Sequence, residues 1–297
     1  MICCINSVTA SKDNPLTSTH FFQSNVGTSL KGVGALYAIA SLTVVPLTWY
    51  RTGYSFSVGY GFSIAAMAAS MLASFGYTDG IKNLDVSSLS IPSILAITAL
   101  LYGIRLGLYI FVREKTVDSK KKQFAEMDKS PWYKRTPLAL SVSVLYAFLM
   151  TPVLVAMKTS VESAPLQKVQ KIFTGMAACG MVLEAVADQH KYEAKRNGLK
   201  DTDKFVGPTN WTYKLCRHPN YLGEIMHWTG IFGAGAVVFG KDIVAWLASG
   251  LGLLGILSIM FGASARLDKK QAEKYEGQPV YDEWKKEVTA SVIPFIK

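Results

Sequence analysis

Residues 217–224 read Arg217-His218-Pro219-Asn220-Tyr221-Leu222-Gly223-Glu224 and run directly into an apolar stretch that lasts to Gly240. Pro219 suits the first turn of a helix, where a missing N–H has no partner to lose. The pair Arg217 and His218 therefore stands at a helix mouth that already favours anions. An amide, a phenol and a carboxylate follow within two turns. Asn220 and Glu224 share one face at i and i+4, with Tyr221 and His227 beside them. A carboxylate at the centre of a bilayer costs roughly 2.5–3.5 kcal/mol on insertion scales. Glu224 is thus expected to face a cavity or a partner rather than lipid.

Two further groupings have the same character. Glu184 and Asp188 lie one turn apart, with Lys191, Lys195 and Arg196 following. Carboxylates suit ribose hydroxyls or an amide, and cations suit phosphates. Tyr102 and Arg105 lie late in another apolar run, and a phenol at that depth can donate a proton to a carbonyl. Cys216, His190, His218 and His227 show no paired metal-ligand spacing, so no metal is expected. Phosphate-loop and dinucleotide glycine motifs are absent from the sequence.

The elements that must carry these groups are membrane helices. The chain has 297 residues, of which 50% are hydrophobic and only 18% charged, with a mean hydropathy of +0.23. Soluble domains carry about 25% charge. Residues 32–50, 52–78, 86–104, 136–157 and 243–265 contain no Asp, Glu, Lys or Arg. Each reaches or approaches the roughly 20 residues that cross hydrocarbon. Two polar-interrupted stretches, 169–187 with Glu184 and 221–239 with Glu224, bring the count to seven. The fold class expected is an all-α, polytopic transmembrane helical bundle of about seven spans. Residues 1–31 read as a leader, 32–130 as the first three spans, and 131–297 as a C-terminal membrane domain with a cytosolic tail. Tyr275, Tyr281 and Trp284 in that tail read as an interfacial aromatic anchor.

Nine of the ten net positive charges fall in three segments, 113–135, 191–217 and 266–297. Seven spans place all three on one side, which the positive-inside rule makes cytosolic. Such loops match anionic lipid, and nucleic acid is not expected as a partner. Cys3 and Cys4 could be acylated but fall on the opposite side.

The 217–224 block resembles the signature shared by the steroid 5α-reductase and sterol C14-reductase group. Residues 101–109 (Leu-Tyr-Gly-Ile-Arg-Leu-Gly-Leu-Tyr), Glu184 with Asp188, and the ending Ile293-Pro294-Phe295 agree in order. The resemblance covers roughly residues 95–297. It implies a reductase that takes hydride from NADPH and saturates a C=C bond of a lipid substrate drawn from the bilayer. The cofactor would lie in a cytosol-facing cavity, in the endoplasmic reticulum membrane if the source is eukaryotic. Matched by position, Asn220, Tyr221 and Glu224 would meet nicotinamide and ribose, with Glu184 and Asp188 nearby. Lys195, Arg196, Arg217 and His218 would complete the cofactor contacts. Tyr102 would polarise a substrate ketone, with Glu224 as the second catalytic group. The family's second-span glutamate has no counterpart in residues 52–78, which leaves Tyr102 as the matched donor. Isoprenylcysteine and phospholipid methyltransferases share part of the motif, so S-adenosylmethionine is the alternative cofactor. A non-catalytic sterol- or lipid-binding membrane protein is the third reading.

Topology yields a direct expectation: Lys121 and Lys285 face the cytosol, while Lys158 and the N-terminus do not. Cysteine-accessibility labelling at these positions checks it, and labelling of positions 121 and 158 from the same side would defeat it.

Overall fold

The structure, a computed structural model, describes residues 18–75, 89–129, 131–197 and 204–294. Among them are nine α-helices and no strand: α1 Ser18–Tyr50, α2 Val58–Ser74, α3 Ile91–Thr116, α4 Asp118–Met127, α5 Thr136–Lys158, α6 Ala164–Asn197, α7 Pro219–Ala236, α8 Ile243–Tyr275 and α9 Pro279–Glu287. The seven stretches read from the sequence as spans correspond to α1, α2, α3, α5, α6, α7 and α8. Five helices, α1, α3, α5, α6 and α8, are long and apolar enough to cross a membrane. Helix α2 has 17 residues and α7 has 18. The protein is an all-α helical membrane bundle.

Two boundaries and one packing arrangement differ from expectation. Helix α1 begins at Ser18, inside the stretch assigned to a leader, and the candidate span within it starts at Ser29. Residues 1–17, with Cys3 and Cys4, lie outside the described residues, as does Phe295. Helix α6 spans 34 residues, about 51 Å at 1.5 Å per residue, against roughly 30 Å of hydrocarbon. The turns beyond Glu184 therefore extend past the apolar layer. The tail aromatics also differ from a lipid anchor: Tyr281 and Trp284 are buried with Tyr213, and Phe205 stacks on Trp284 at 5.4 Å between ring centroids. The indole of Trp284 donates to the Tyr213 carbonyl at 3.1 Å. Protein, rather than lipid, offered these rings the larger apolar area.

Local sequence explains the helix starts. Pro219 opens α7, Pro279 opens α9, and Asp242 caps α8 by accepting from the Ala245 N–H at 3.0 Å. Ser90 accepts from the Ser93 N–H to start α3.

Two seams of small residues bring backbones close, as membrane interfaces favour. Gly61 of α2 lies against Gly103 and Gly107 of α3, where a Cβ would stand 2.5 Å from the Gly107 nitrogen. Gly180 of α6 and Gly223 of α7 form the second seam. A Cβ on Gly223 would stand 2.5 Å from the Glu184 nitrogen, and one on Gly180 would stand 2.4 Å from the His227 nitrogen. Helix α5 runs through the middle, packing on α1, α2, α7 and α8.

Gly223→Ala should lower the thermal midpoint in detergent, because its Cβ meets backbone that cannot yield; overpacking of this kind costs about 1–3 kcal/mol. Gly175→Ala, where nothing lies within 4 Å, should raise the midpoint, adding about 0.5–1 kcal/mol of stability. Equal responses at the two sites would show that the seam is not tight.

Candidate functional site

Where α3, α6, α7 and α8 converge, a cavity of about 270 Å³ opens. Helix α6 supplies Glu184, Asp188, Lys191 and Tyr192; α7 supplies Asn220, Tyr221 and Glu224; α3 supplies Leu106, Tyr109, Ile110 and Arg113. The second seam sets this geometry. Contact between Gly223 and the Glu184 backbone holds α7 against α6, so Glu224 and Glu184 enter the same space.

The carboxylates are not left to each other. Arg105 donates from Nη1 to Glu184 Oε1 at 2.9 Å, and from Nη2 to Asp188 Oδ2 at 2.7 Å and to the Glu184 carbonyl at 3.1 Å. A forked guanidinium is the side chain best shaped to bridge two carboxylates one turn apart. Tyr109 lies between Arg105 and Arg113, each over its ring at 5.3 and 5.2 Å, and donates to the Asp188 carbonyl at 3.1 Å. Glu184 is 3% exposed and its Oε2 has no hydrogen-bond partner; the buried Asn220 Oδ1 has none either. These two acceptors, in the lining of one cavity, demand donors, since burying an unmet acceptor costs about 1–3 kcal/mol.

Glu224 has a partner that sequence reading missed. Tyr60 of α2 donates to Glu224 Oε1 at 2.9 Å, its hydroxyl lies 3.3 Å from that of Tyr102, and the Trp228 indole donates to it at 2.6 Å. Tyr60 sits in an uncharged run beside Gly59 and Gly61, where nothing in spacing separates it from packing residues. Only the α2–α3 seam, a tertiary feature, brings it to Glu224.

Tyr102 is not in the cavity lining. It is fully buried, stacked on His227 with ring centroids 4.0 Å apart and planes 11° apart. His227 is anchored by Nδ1 on the Ala177 carbonyl at 3.0 Å, while its Nε2 has no partner. Arg105, grouped with Tyr102 in the sequence, is directed instead at Glu184 and Asp188.

Arg217 and His218 also stand elsewhere than expected. Arg217 grips Asp268 of α8 with Nε at 3.1 Å and Nη2 at 2.8 Å, while its Nη1 donates to the carbonyls of Val288 and Thr289. His218 Nε2 meets the same carboxylate at 2.7 Å, and Ser291 donates to it at 2.7 Å. Backbone bonds from Arg217 N to the Ala290 carbonyl and from His218 N to the Ser291 carbonyl complete the clasp. Burial holds the His218 pKa below the ordinary imidazole value, against the pull of Asp268. The neutral ring then donates from Nε2, consistent with the unpartnered Nδ1. These residues tie the tail to the mouth of α7 rather than lining the cavity. The side chains of Lys195 and Arg196 lie outside the described residues. Asp268 was missed because one acid in a basic tail carries no signal.

Glu184, Asp188, Asn220, Tyr221 and Glu224 are thus brought together; Tyr102 lies behind them, and Arg217 and His218 lie beside them. A family model described as "Protein of unknown function (DUF1295)" matches residues 61–288. The chain belongs to this family. The DUF1295 segment contains every cavity residue and the tail clasp to Val288, and it begins one residue after Tyr60. No curated protein and no solved structure matches the chain.

Asp268→Asn should loosen the clasp. Losing charge-assisted bonds from Arg217 costs on the order of 1.5–3 kcal/mol. The expected readouts are a lower thermal midpoint and faster proteolysis between residues 287 and 292. Unchanged protease resistance would show that the aromatic packing of α9 holds the tail without Asp268.

Proposed function

We propose that the chain is an NADPH-dependent membrane reductase that saturates a C=C bond of a lipid substrate, with the cofactor held in the cavity between α3, α6, α7 and α8. One observation carries the reading: an acceptor-rich interior with two orphaned buried acceptors, Glu184 Oε2 and Asn220 Oδ1, opens toward a rim bearing Arg113 and Lys191. Carboxamide and ribose hydroxyls bring donors, and a 2′-phosphate and pyrophosphate bring negative charge. The residues present therefore fit the two ends of the cofactor's chemistry. Ligand sites run to roughly 300–1,000 Å³, so a cavity of about 270 Å³ takes part of a dinucleotide, with the phosphates belonging at the basic rim.

In this reading Asn220, Tyr221, Glu224 and Glu184 hold the nicotinamide riboside end, and Arg113 and Lys191 meet phosphate. The cofactor supplies a hydride. Burial among α2, α3 and α7 keeps water from Tyr102. The cavity end faces the cytosol, where the basic segments lie, and the apolar substrate arrives from the bilayer.

A second reading draws on the same cavity. Three carboxylates, Glu184, Asp188 and Glu224, also suit a sulfonium cation, so S-adenosylmethionine-dependent methyl transfer is the competitor. A lipid-binding protein without catalysis would give neither cofactor a site.

The test is a thermal-shift comparison of the detergent-solubilised protein with NADPH, NADH and S-adenosylmethionine. A ligand at 100 times its Kd stabilises by about 2.7 kcal/mol. NADPH should give the largest shift. Asn220→Ala or Glu224→Gln should weaken it by about 10- to 150-fold, the loss of one charge-assisted partner. Stabilisation by S-adenosylmethionine alone would overturn the reductase reading. Tyr102→Phe should keep NADPH binding and lower turnover by at least about tenfold, since one oxyanion donor is worth about 10²–10³.

A further inference from the structure

We infer that Tyr60 is a proton-relay residue, positioned to pass a proton from Glu224 to Tyr102 through a chain of hydroxyls sealed inside the bundle. The inference rests on the reductase reading only for the substrate oxygen that finally receives the proton.

The hydrogen-bond inventory fixes the polarity of the chain. An indole N–H only donates, so the 2.6 Å contact from Trp228 makes the Tyr60 oxygen an acceptor. An ionised carboxylate only accepts, so the Tyr60 O–H points at Glu224 Oε1, 2.9 Å away. Tyr60 then has no hydrogen left for Tyr102, and the 3.3 Å contact between the phenols runs from Tyr102 to Tyr60. With Glu224 ionised, the Tyr102 proton is turned inward.

Protonating Glu224 reverses the chain. The carboxylic acid donates to the Tyr60 oxygen, whose other lone pair still accepts from Trp228. The Tyr60 O–H swings to the Tyr102 oxygen, and the Tyr102 O–H is released. Delivery then balances: one proton leaves Glu224 for Tyr60, one passes from Tyr60 to Tyr102, and one leaves Tyr102 for the substrate oxygen. Both phenols end neutral and Glu224 ends ionised. Glu224 belongs to the cavity lining and reloads from there, while Tyr60 and Tyr102 are 6% and 0% exposed. Tyr102 also acts on Glu224 directly, but Tyr60 is the group within hydrogen-bond distance of both, 2.9 Å from the carboxylate and 3.3 Å from the Tyr102 hydroxyl.

Charged and titratable groups act on Glu224 from every side: Tyr60 on α2, Tyr102 and Arg105 on α3, Tyr146 on α5, Glu184 and Asp188 on α6, and Tyr221 on its own helix. Tyr146 donates to the Ser55 carbonyl, and Arg105 is bound to the α6 carboxylates. Neither is placed to carry the proton from Glu224 to Tyr102.

Infrared difference spectroscopy of the full-length protein in detergent, without cofactor or substrate, tests the relay by pH titration. Glu224→Gln identifies the carboxylic-acid band of Glu224, and Tyr102→Phe identifies the Tyr102 C–O band. In the wild-type protein the two bands should titrate together, with the Tyr60 C–O band moving at the same midpoint as its O–H turns from Glu224 to Tyr102. In Tyr60→Phe the Tyr102 response should vanish. The Glu224 midpoint should rise by about one unit or more, because the carboxylate loses a donor that favoured its charged form. A Tyr102 band that still follows Glu224 in Tyr60→Phe would mean direct coupling and would overturn the relay. Should that variant not fold, isotope-labelled tyrosine placed at position 60 of the otherwise wild-type protein decides: a Tyr60 C–O band that stays still while Tyr102 moves excludes Tyr60 as the carrier. NADPH binding is read separately by thermal shift. Coupled bands without NADPH stabilisation would sink the cofactor reading and keep the relay, and uncoupled bands with NADPH bound would do the reverse.

Discussion

A carboxylate at membrane depth must be matched by donors, and in this bundle that requirement falls on Glu224. Its cost alone in hydrocarbon would be several kcal/mol, so the helices around it are chosen to supply hydrogen bonds. Tyr60 answers from α2, and Trp228, one turn beyond Glu224 on α7, fixes the Tyr60 oxygen in turn. Glu184 and Asp188 raise the same demand on α6 and are met from α3 by Arg105. Both matches bind an N-terminal helix to a C-terminal one. The apparent division near residue 130 is therefore crossed by buried, charge-assisted contacts.

Small residues make those contacts possible. Polar groups that must meet at 2.7–2.9 Å leave little tolerance in helix spacing, and the glycine seams set that spacing where it counts. Gly223 is followed directly by Glu224, and its own contact is the backbone of Glu184. One close approach thus fixes the separation of two cavity carboxylates. Gly61 follows Tyr60 in the same way and packs on Gly103, which follows Tyr102. In each seam a glycine adjoins the functional side chain, so helix distance and site geometry are set together.

This arrangement explains what was legible in the sequence. Uncharged runs and their lengths revealed the helices, because burial in lipid constrains composition residue by residue. The 217–224 block and the Glu184/Asp188 pair were legible because charge is rare at membrane depth. Tyr60 and Trp228 were not, since a tyrosine or tryptophan in an apolar helix satisfies packing whether or not its polar atom has a task. Arg217 and His218 misled for the opposite reason. A basic pair at a helix mouth suits an anion, and the anion here is Asp268, 50 residues downstream. The tail aromatics misled likewise: an amphipathic pattern names an apolar face without saying whether lipid or protein covers it.

The clasp at Asp268 carries a consequence for the cavity. Asn220 lies two residues after His218, within the first turn of α7, where the helix end would otherwise fray. Asp268, Ser291 and the carbonyls of residues 288–291 hold that turn from outside, while Gly223 holds it from within. Between these fixed points the Asn220 carbonyl oxygen is kept buried without a partner. Such an unmet acceptor would relax toward water if its backbone were free to move. A donor arriving in the cavity would meet that acceptor already in place, at little cost in ordering. The tail thus steadies one wall of the cavity without lining it, by bonding the mouth of α7 from outside.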